Sequence, residues 1–185
     1  MINNYFHKGN LNFRDKFLSL DFALIILVLL LGIISFFAMY STARGNFDYY
    51  TKNHIYRFCI FFAVFISISF INIQVWHKSA YFFYVIVLLL LVGVILFGVT
   101  ASGSTRWISL FVINLQPSEL MKIGIILFLA KYYNTIPSRD VNRIKFLFQP
   151  FFALAIPFAL VIIQPDLGTA ILIMVSGLSV VWLAG

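Results

Sequence analysis

Residues 116–122 read Gln-Pro-Ser-Glu-Leu-Met-Lys, and they place an acid and a base at the mouth of an apolar segment that runs from Ile123 to Ala130. Proline suits the first turn of a helix, where its missing N–H has no intrahelical acceptor to lose. A helix is therefore predicted to begin at Pro117. Gln116 or Ser118 can cap its first turn, and Glu119 lies near the positive end of the helix dipole.

Glu119 and Lys122 stand three residues apart, so they share one face of this helix and can form an ion pair. Ionisable side chains at the centre of a membrane helix are costly, roughly 2.5–3.5 kcal/mol each for Asp, Lys or Arg on insertion scales. Two interpretations follow. The pair is either a salt bridge that holds a helix bundle together, or part of a polar site that opens to the outer face of a membrane.

The composition indicates an integral membrane protein. Hydrophobic residues make up 62% of the chain and charged residues 10%, and the mean hydropathy is +1.00, far outside the soluble range. The net charge of +7 does not indicate nucleic-acid binding, because the basic residues lie mostly in short segments between apolar runs. Cys59 is the single cysteine, which excludes an intrachain disulfide and a cysteine metal site. The histidines (His7, His54 and His77) lie near predicted membrane boundaries and are interpreted as interfacial.

The apolar runs predict an all-α, polytopic bundle of about six transmembrane helices in one domain. Phe22–Ala43 carries no charge and is long enough to cross a hydrocarbon core of about 30 Å. It is too long for the apolar part of a cleaved signal peptide. The predicted helices cover residues 22–43, 58–76, 79–99, 117–133, 146–163 and 167–185. Residues 44–57 and 134–145 are predicted as polar loops, residues 77–78 as a tight turn, and residues 106–116 as a semi-apolar connector.

The lysines and arginines predict the orientation. Eight of them lie in residues 1–20, in the turn at His77 and in the loop that starts at Asn134, with Lys131 at its edge. The opposite loops hold four, and Lys122 is left out as intramembrane. Because the richer side is cytoplasmic, the N-terminus is predicted to lie inside. This orientation puts residues 106–107, 116–119 and 164–166 together on the outer face.

Gln164-Pro165-Asp166 repeats the pattern of Gln116-Pro117-Ser118, because both open an apolar helix from the predicted outer side. In each, the polar residue after proline can cap the first turn. Asp166 is followed by Gly168 and Thr169, small residues that let another helix or a ligand come close. Asp166 is therefore either a simple helix cap or a second part of a polar site.

Two segments carry a resemblance to a known family. Arg106-Trp107 followed by Gln-Pro-Ser-Glu-Leu-x-Lys (116–122), and Gln-Pro-Asp-Leu-Gly-Thr-Ala (164–170), resemble the signature segments of the SEDS family of bacterial cell-shape, division and sporulation proteins, RodA, FtsW and SpoVE. The second segment looks more like RodA than FtsW. The resemblance extends from about residue 20 to residue 185.

The resemblance implies a ten-helix peptidoglycan glycosyltransferase of cell-wall elongation and shape control, multi-pass in the bacterial cytoplasmic (inner) membrane. Such enzymes polymerise lipid II on the outer face, among membrane lipids, beside a class B penicillin-binding protein. Glu119 and Lys122 match the acid–base pair that shapes the central cavity, Arg106 matches a basic residue near the diphosphate, and Asp166 matches a carboxylate at the sixth helix. The candidate polar residues are Arg106, Trp107, Gln116, Ser118, Glu119, Lys122, Gln164, Asp166 and Thr169.

The residue that the resemblance implies as catalytic base is an aspartate in an outer loop between the seventh and eighth helices, beyond residue 185. The catalytic residues are therefore unknown, and the chain is expected to be the N-terminal part of a longer enzyme. No cofactor is identified and no metal-ligand set is present in the sequence. A divalent cation is chemically compatible with a diphosphate substrate.

Two other classes stay open. A non-catalytic scaffold that binds a membrane helix of a cell-wall synthase would need only the surfaces of these helices. A lipid or solute transporter would also have six or more helices with intramembrane charges. Its broken helices should lie near the midplane, whereas Pro117 and Pro165 are predicted at helix ends.

Overall fold

The computed structural model describes residues 13–101, 104–110, 113–137, 140–141 and 143–185. The helices are α1 (Phe13–Leu18), α2 (Phe22–Thr42), α3 (Tyr49–Ser69), α4 (Ile73–Phe97), α5 (Pro117–Asn134), α6 (Ile144–Ile163) and α7 (Leu167–Ala184), and the strands are β1 (Val99–Ala101), β2 (Ser104–Leu110) and β3 (Ile113–Leu115). The fold divides into two compact units, with the boundary between Asn72 and Ile73, where the sequence predicts a single domain. His7 and Ser138 lie outside the described residues.

In the first unit, α2 and α3 pack closely because α2 has a glycine at the contact. Asp21 caps α2, its Oδ1 accepting the N–H of Leu24 at 3.1 Å. The ring of Phe58 lies against Gly32, where an added Cβ would come within 2.2 Å of ring carbon Cζ. Small residues let membrane helices approach in this way. The imidazole Nε2 of His54 and the hydroxyl of Ser35 lie 2.8 Å apart, so His54 bonds to the neighbouring helix.

The second predicted helix is displaced toward the N-terminus in the structure. It begins at Tyr49 and ends at Ser69, although residues 44–57 are predicted as a loop and the helix as 58–76. Lys52 and Arg57 lie inside it. Long basic side chains near a helix end can extend their charge toward water while their stems stay on the helix. The positions of the charged residues therefore predict the wrong start for α3.

The third predicted helix also begins earlier. The chain turns at residues 70–72, and α4 starts at Ile73, so His77 and Lys78 lie within a helix where the sequence predicts a turn at this pair. Residues Phe70, Ile71 and Ile73 continue the apolar run, and hydropathy therefore gives no signal of the break. The remaining bounds agree with prediction to within two residues.

The second unit has four helices, with α5 in contact with α4, α6 and α7. Its core is apolar; the fully buried members include Val87, Leu91, Met121, Ile125, Leu129, Val161, Ala170 and Ile173. Between α4 and α5 the chain forms a three-stranded antiparallel sheet in the order β1-β2-β3. In its second strand pair, Ile108 lies opposite Leu115. The sequence predicts this segment only as a connector, because its strands are too short to show a clear alternation.

Two prolines inside α6 leave two backbone carbonyls without their helical donors. A proline at position i cannot donate to the carbonyl of residue i−4, so Pro150 frees the carbonyl of Phe146 and Pro157 frees that of Ala153. The hydroxyl of Tyr132 on α5 donates to Phe146 O at 2.9 Å, and the hydroxyl of Tyr84 on α4 donates to Ala153 O at 2.9 Å. Tyrosines of the neighbouring helices thus satisfy both freed acceptors.

Among the described residues, four helices are long and apolar enough to cross a membrane, namely α2, α4, α6 and α7. The other two long helices, α3 and α5, have 21 and 18 residues. They carry more charged side chains, and in α5 these include Glu119, Lys122 and Lys131. The chain is an all-α polytopic membrane protein with one small sheet in its described part, and the sequence-based fold class is confirmed.

Candidate functional site

The starts of α5 and α7 lie side by side at one end of the second unit, and their side chains are joined directly. Gln116 occupies the N-cap position of α5, but its side chain does not cap that helix. Its Nε2 instead donates to Asp166 Oδ2 at 3.0 Å and to the hydroxyl of Ser118 at 3.2 Å. The two Gln-Pro segments, 48 residues apart by the numbering of their glutamines, thus meet in space.

Asp166 is the buried centre of this contact. It is the N-cap of α7, where Oδ1 accepts the N–H of Thr169 at 3.3 Å and Oδ2 accepts the hydroxyl of Thr169 at 2.8 Å. With the Gln116 amide, these groups satisfy a carboxylate whose residue is only 7% exposed. A buried carboxylate needs such partners, because an unpaired charge is costly away from water. The capping role that the sequence allows for Asp166 is confirmed.

Arg106 connects β2 to the start of α7. Its Nη2 donates to the carbonyl of Pro165 at 2.5 Å, and Nη1 lies 3.7 Å from Asp166 Oδ1. The Arg106 side chain is 33% exposed, whereas that of Asp166 is 9% exposed. Within the described residues, Arg106 Nε is buried and has no hydrogen-bond partner. The guanidinium therefore holds the sheet to the helix and still reaches the surface.

Gln164, two residues before Asp166, bonds to a different helix. It follows the last residue of α6, and its Nε2 donates to the carbonyl of Leu91 on α4 at 3.0 Å. The residue is 2% exposed. This contact ties the end of α6 to the last two turns of α4. The sequence singles out Gln164 but gives no sign of Leu91, because every residue of a helix carries the same carbonyl.

Glu119 and Lys122 form the predicted ion pair on α5. Lys122 Nζ lies 2.9 Å from Glu119 Oε1 and 2.8 Å from Oε2. The Glu119 side chain is 53% exposed and that of Lys122 is 26% exposed, so the pair is more accessible than Asp166 or Gln164. Trp107, on β2, is half-buried.

The site places two cations and two carboxylates at one end of the helices, together with the N-termini of α5 and α7. Positive dipole ends and guanidinium groups suit anionic ligands such as phosphates. Among the described residues, no group of three or more His, Cys, Asp or Glu side chains is placed to hold a metal ion. The described site therefore offers groups that can recognise an anion.

Comparisons with known proteins identify the family of the chain. The profile of the FtsW, RodA and SpoVE family of cell cycle proteins matches residues 18–185. The chain is 33% identical over 175 residues to the peptidoglycan glycosyltransferase MrdB of Escherichia coli K12, covering 94% of this chain and 46% of that protein. It is 30% identical over 179 residues to the probable peptidoglycan glycosyltransferase FtsW of Haemophilus influenzae, covering 92% of this chain and 44% of that protein.

The fold also resembles solved structures. The crystal structure of the rod shape determining protein RodA of Thermus thermophilus matches with a TM-score of 0.80 and 27% identity, covering 91% of this chain and 55% of that one. A chain from a study of polymerization and crosslinking by a peptidoglycan synthase complex matches with a TM-score of 0.81 and 26% identity. This chain therefore spans about half the length of the relatives that it matches.

Proposed function

The chain belongs to the FtsW, RodA and SpoVE family of cell cycle proteins, and from this membership we propose that it supplies part of a peptidoglycan glycosyltransferase that polymerises lipid II. The observation that carries the proposal is the joining of the Gln116 and Gln164 segments through Asp166. These segments are the ones that resemble the family's signatures. The polar end of the second unit would then receive the lipid-linked sugar.

Arg106 and Lys122 are the cations that we assign to the diphosphate of this substrate. A third of the Arg106 side chain is exposed although the guanidinium is bonded to Pro165 and lies near Asp166. It can therefore keep its place in the fold and still present N–H groups to a phosphate, for which its planar fork is well suited. Lys122 is positioned by Glu119 on the more exposed face.

The chain is a multi-pass membrane protein, and we place it in the bacterial inner membrane with the candidate site outward. Its partner on this proposal is a class B penicillin-binding protein, which would cross-link the glycan strand. Support comes from a relative's place in a peptidoglycan synthase complex and from the eight-to-four distribution of basic residues between the two predicted sides.

A chimera tests the proposal, since the chain covers 46% of MrdB. The aligned region of Escherichia coli MrdB is replaced by this chain, and the purified chimera is assayed for lipid II polymerisation with the penicillin-binding partner of MrdB. We expect glycan strands to form. A chimera that inserts and binds the partner but forms no strands would support the scaffold alternative and contradict the enzyme.

Two substitutions in the chimera test the role of Arg106. Arg106→Lys keeps the charge but loses the fork, so it should slow polymerisation, and Arg106→Gln should slow it further. Arg44→Lys is the matched control, because Arg44 is exposed and lies in the first unit. Wild-type rates for both Arg106 variants would show that Arg106 only anchors the sheet.

A further inference from the structure

We propose that the end of the second unit opposite the candidate site binds an anionic phospholipid, with the headgroup phosphate on Arg143 and Lys145 and an acyl chain in a groove along α6. The helix α5 runs from the candidate site to this end over 18 residues, roughly 27 Å. The two sites are therefore separate, and this inference does not rest on the proposed glycosyltransferase activity.

The charges at the two ends differ. At the candidate site the described cations Arg106 and Lys122 are matched by Asp166 and Glu119. At the opposite end the described charged residues are four cations and one carboxylate: Lys78, Lys131, Arg143, Lys145 and Asp140. Asp140 Oδ1 lies 3.1 Å from Arg143 Nη2. This end keeps an excess of positive charge, which favours an anionic ligand.

Contacts between the helices join α4, α5 and α6 at this end. Lys131 Nζ donates to the carbonyl of Lys78 at 2.7 Å and lies 4.6 Å from the centre of the Tyr81 ring. The hydroxyl of Tyr132 bonds to Phe146 O and so attaches the first turns of α6 to the end of α5. Lys131 thus lies against α4, and the end of α5 that carries it is bonded to the first turns of α6.

An apolar groove begins where the cations end. It is lined by Ile144, Leu147, Phe148, Phe151 and Phe152 and has a volume of about 320 Å³. These residues follow one face of α6 at i, i+3, i+4, i+7 and i+8, while Pro150, Ala153 and Pro157 on the other face are buried. The groove starts directly after Arg143, the N-cap of α6.

This arrangement fits the two chemical halves of one phospholipid. A soluble phosphate would gain nothing from the groove, and an apolar partner helix would gain nothing from the cations. A phospholipid uses both, since its phosphate lies at the membrane surface and its acyl chains extend into the hydrocarbon. The Arg143 side chain is 66% exposed. Lys145, whose Nζ lies 5.2 Å from the centre of the Phe146 ring, is exposed as well.

Lipid binding to the purified chain tests the proposal. The protein in neutral detergent is titrated with dioleoyl phosphatidylglycerol or dioleoyl phosphatidylcholine, and bound lipid is counted by native mass spectrometry. We expect tighter binding of the anionic lipid. The double variant Arg143→Gln, Lys145→Gln should weaken it roughly thirtyfold. The double variant Lys52→Gln, Arg57→Gln removes the same charge from α3 and should change it little.

Two further arms use the unaltered protein, so the proposal can fail even where a variant does not fold. Short-chain dihexanoyl phosphatidylglycerol should bind more weakly than the dioleoyl lipid, and inorganic phosphate should not displace the lipid at millimolar concentration. Equal binding of phosphatidylcholine, equal binding of the short-chain lipid, displacement by phosphate or an equal loss in the α3 variant would each overturn the proposal.

Discussion

The two carboxylates of the candidate site lie in different surroundings. Asp166 is buried and accepts hydrogen bonds from Gln116 and Thr169, whereas Glu119 is half exposed and pairs with Lys122. Removing a buried acceptor leaves several donors unsatisfied, while water replaces much of what an exposed ion pair loses. Substitutions at the two positions should therefore have unequal effects on stability.

Asp166→Ala should lower the free energy of unfolding by about 1–2 kcal/mol more than Asp166→Asn. Asparagine caps a helix about as well as aspartate, so its Oδ1 can keep the bond from the Thr169 N–H although its Nδ2 cannot accept from the Gln116 amide. Alanine loses the cap as well as the acceptor of Gln116. Unfolding by denaturant in micelles measures the difference. Asp48→Ala is the control, because Asp48 caps α3 without a side-chain hydrogen bond. Equal losses for the two Asp166 variants would contradict the buried network.

A double-mutant cycle on Glu119 and Lys122 measures their coupling. The Glu119 side chain is 53% exposed and that of Lys122 is 26% exposed. We therefore expect a coupling energy of about 0.2–1 kcal/mol, the range for exposed pairs. Breaking a buried pair would cost about 3–5 kcal/mol. The cycle compares Glu119→Ala, Lys122→Ala and the double variant by unfolding in micelles. Strict additivity would show that the two do not interact.

Among the elements, α6 depends most on its neighbours. Two prolines interrupt its hydrogen-bond ladder, and it still runs from Ile144 to Ile163. The freed carbonyls of Phe146 and Ala153 accept hydroxyls from α5 and α4. In a membrane, where no water can satisfy such a group, these bonds are what make the prolines tolerable. The helix and its two tyrosines should therefore be energetically coupled.

Tyr84→Phe should destabilise the protein by about 1–2 kcal/mol, because it leaves the carbonyl of Ala153 without a donor. Pro157→Ala restores a backbone N–H that can reach the same carbonyl, so it should stabilise the Tyr84→Phe background more than the wild type. Thermal unfolding of the four proteins gives the coupling. Tyr133→Phe is the control, since its buried hydroxyl has no hydrogen-bond partner within the described residues. If the Tyr84 and Pro157 changes were additive, the proposed sharing of this carbonyl would be wrong.

For the whole molecule, the apolar runs predict the membrane class and most helix ends, because a segment that lies in hydrocarbon must consist mainly of apolar residues. The break at residues 70–72 gives no hydropathy signal, because the run of apolar residues continues through it. Gln164 and Tyr84 donate to backbone carbonyls. Every residue has such a carbonyl, so the sequence does not predict which one is the partner. Pro157 does signal a free carbonyl at Ala153, but only the packing of α4 on α6 shows which side chain reaches it.

The candidate site is predicted to face outward and the basic end to face the cytoplasm. Cysteine labelling in intact bacteria tests this orientation after the exposed Cys59 is replaced by alanine. Single cysteines are placed at Asn46 in the first unit, at Ser109 on β2 and at Thr135 after α5. All three residues are exposed, so each can react wherever the reagent reaches it.

The most direct measurement is the reaction of these cysteines with a membrane-impermeant maleimide before and after permeabilisation. We expect the cysteines at positions 46 and 109 to react in intact cells, and the one at position 135 to react only after permeabilisation. The reverse pattern would put the Arg106 and Asp166 cluster in the cytoplasm, and a site for polymerising lipid II on the outer face would be excluded.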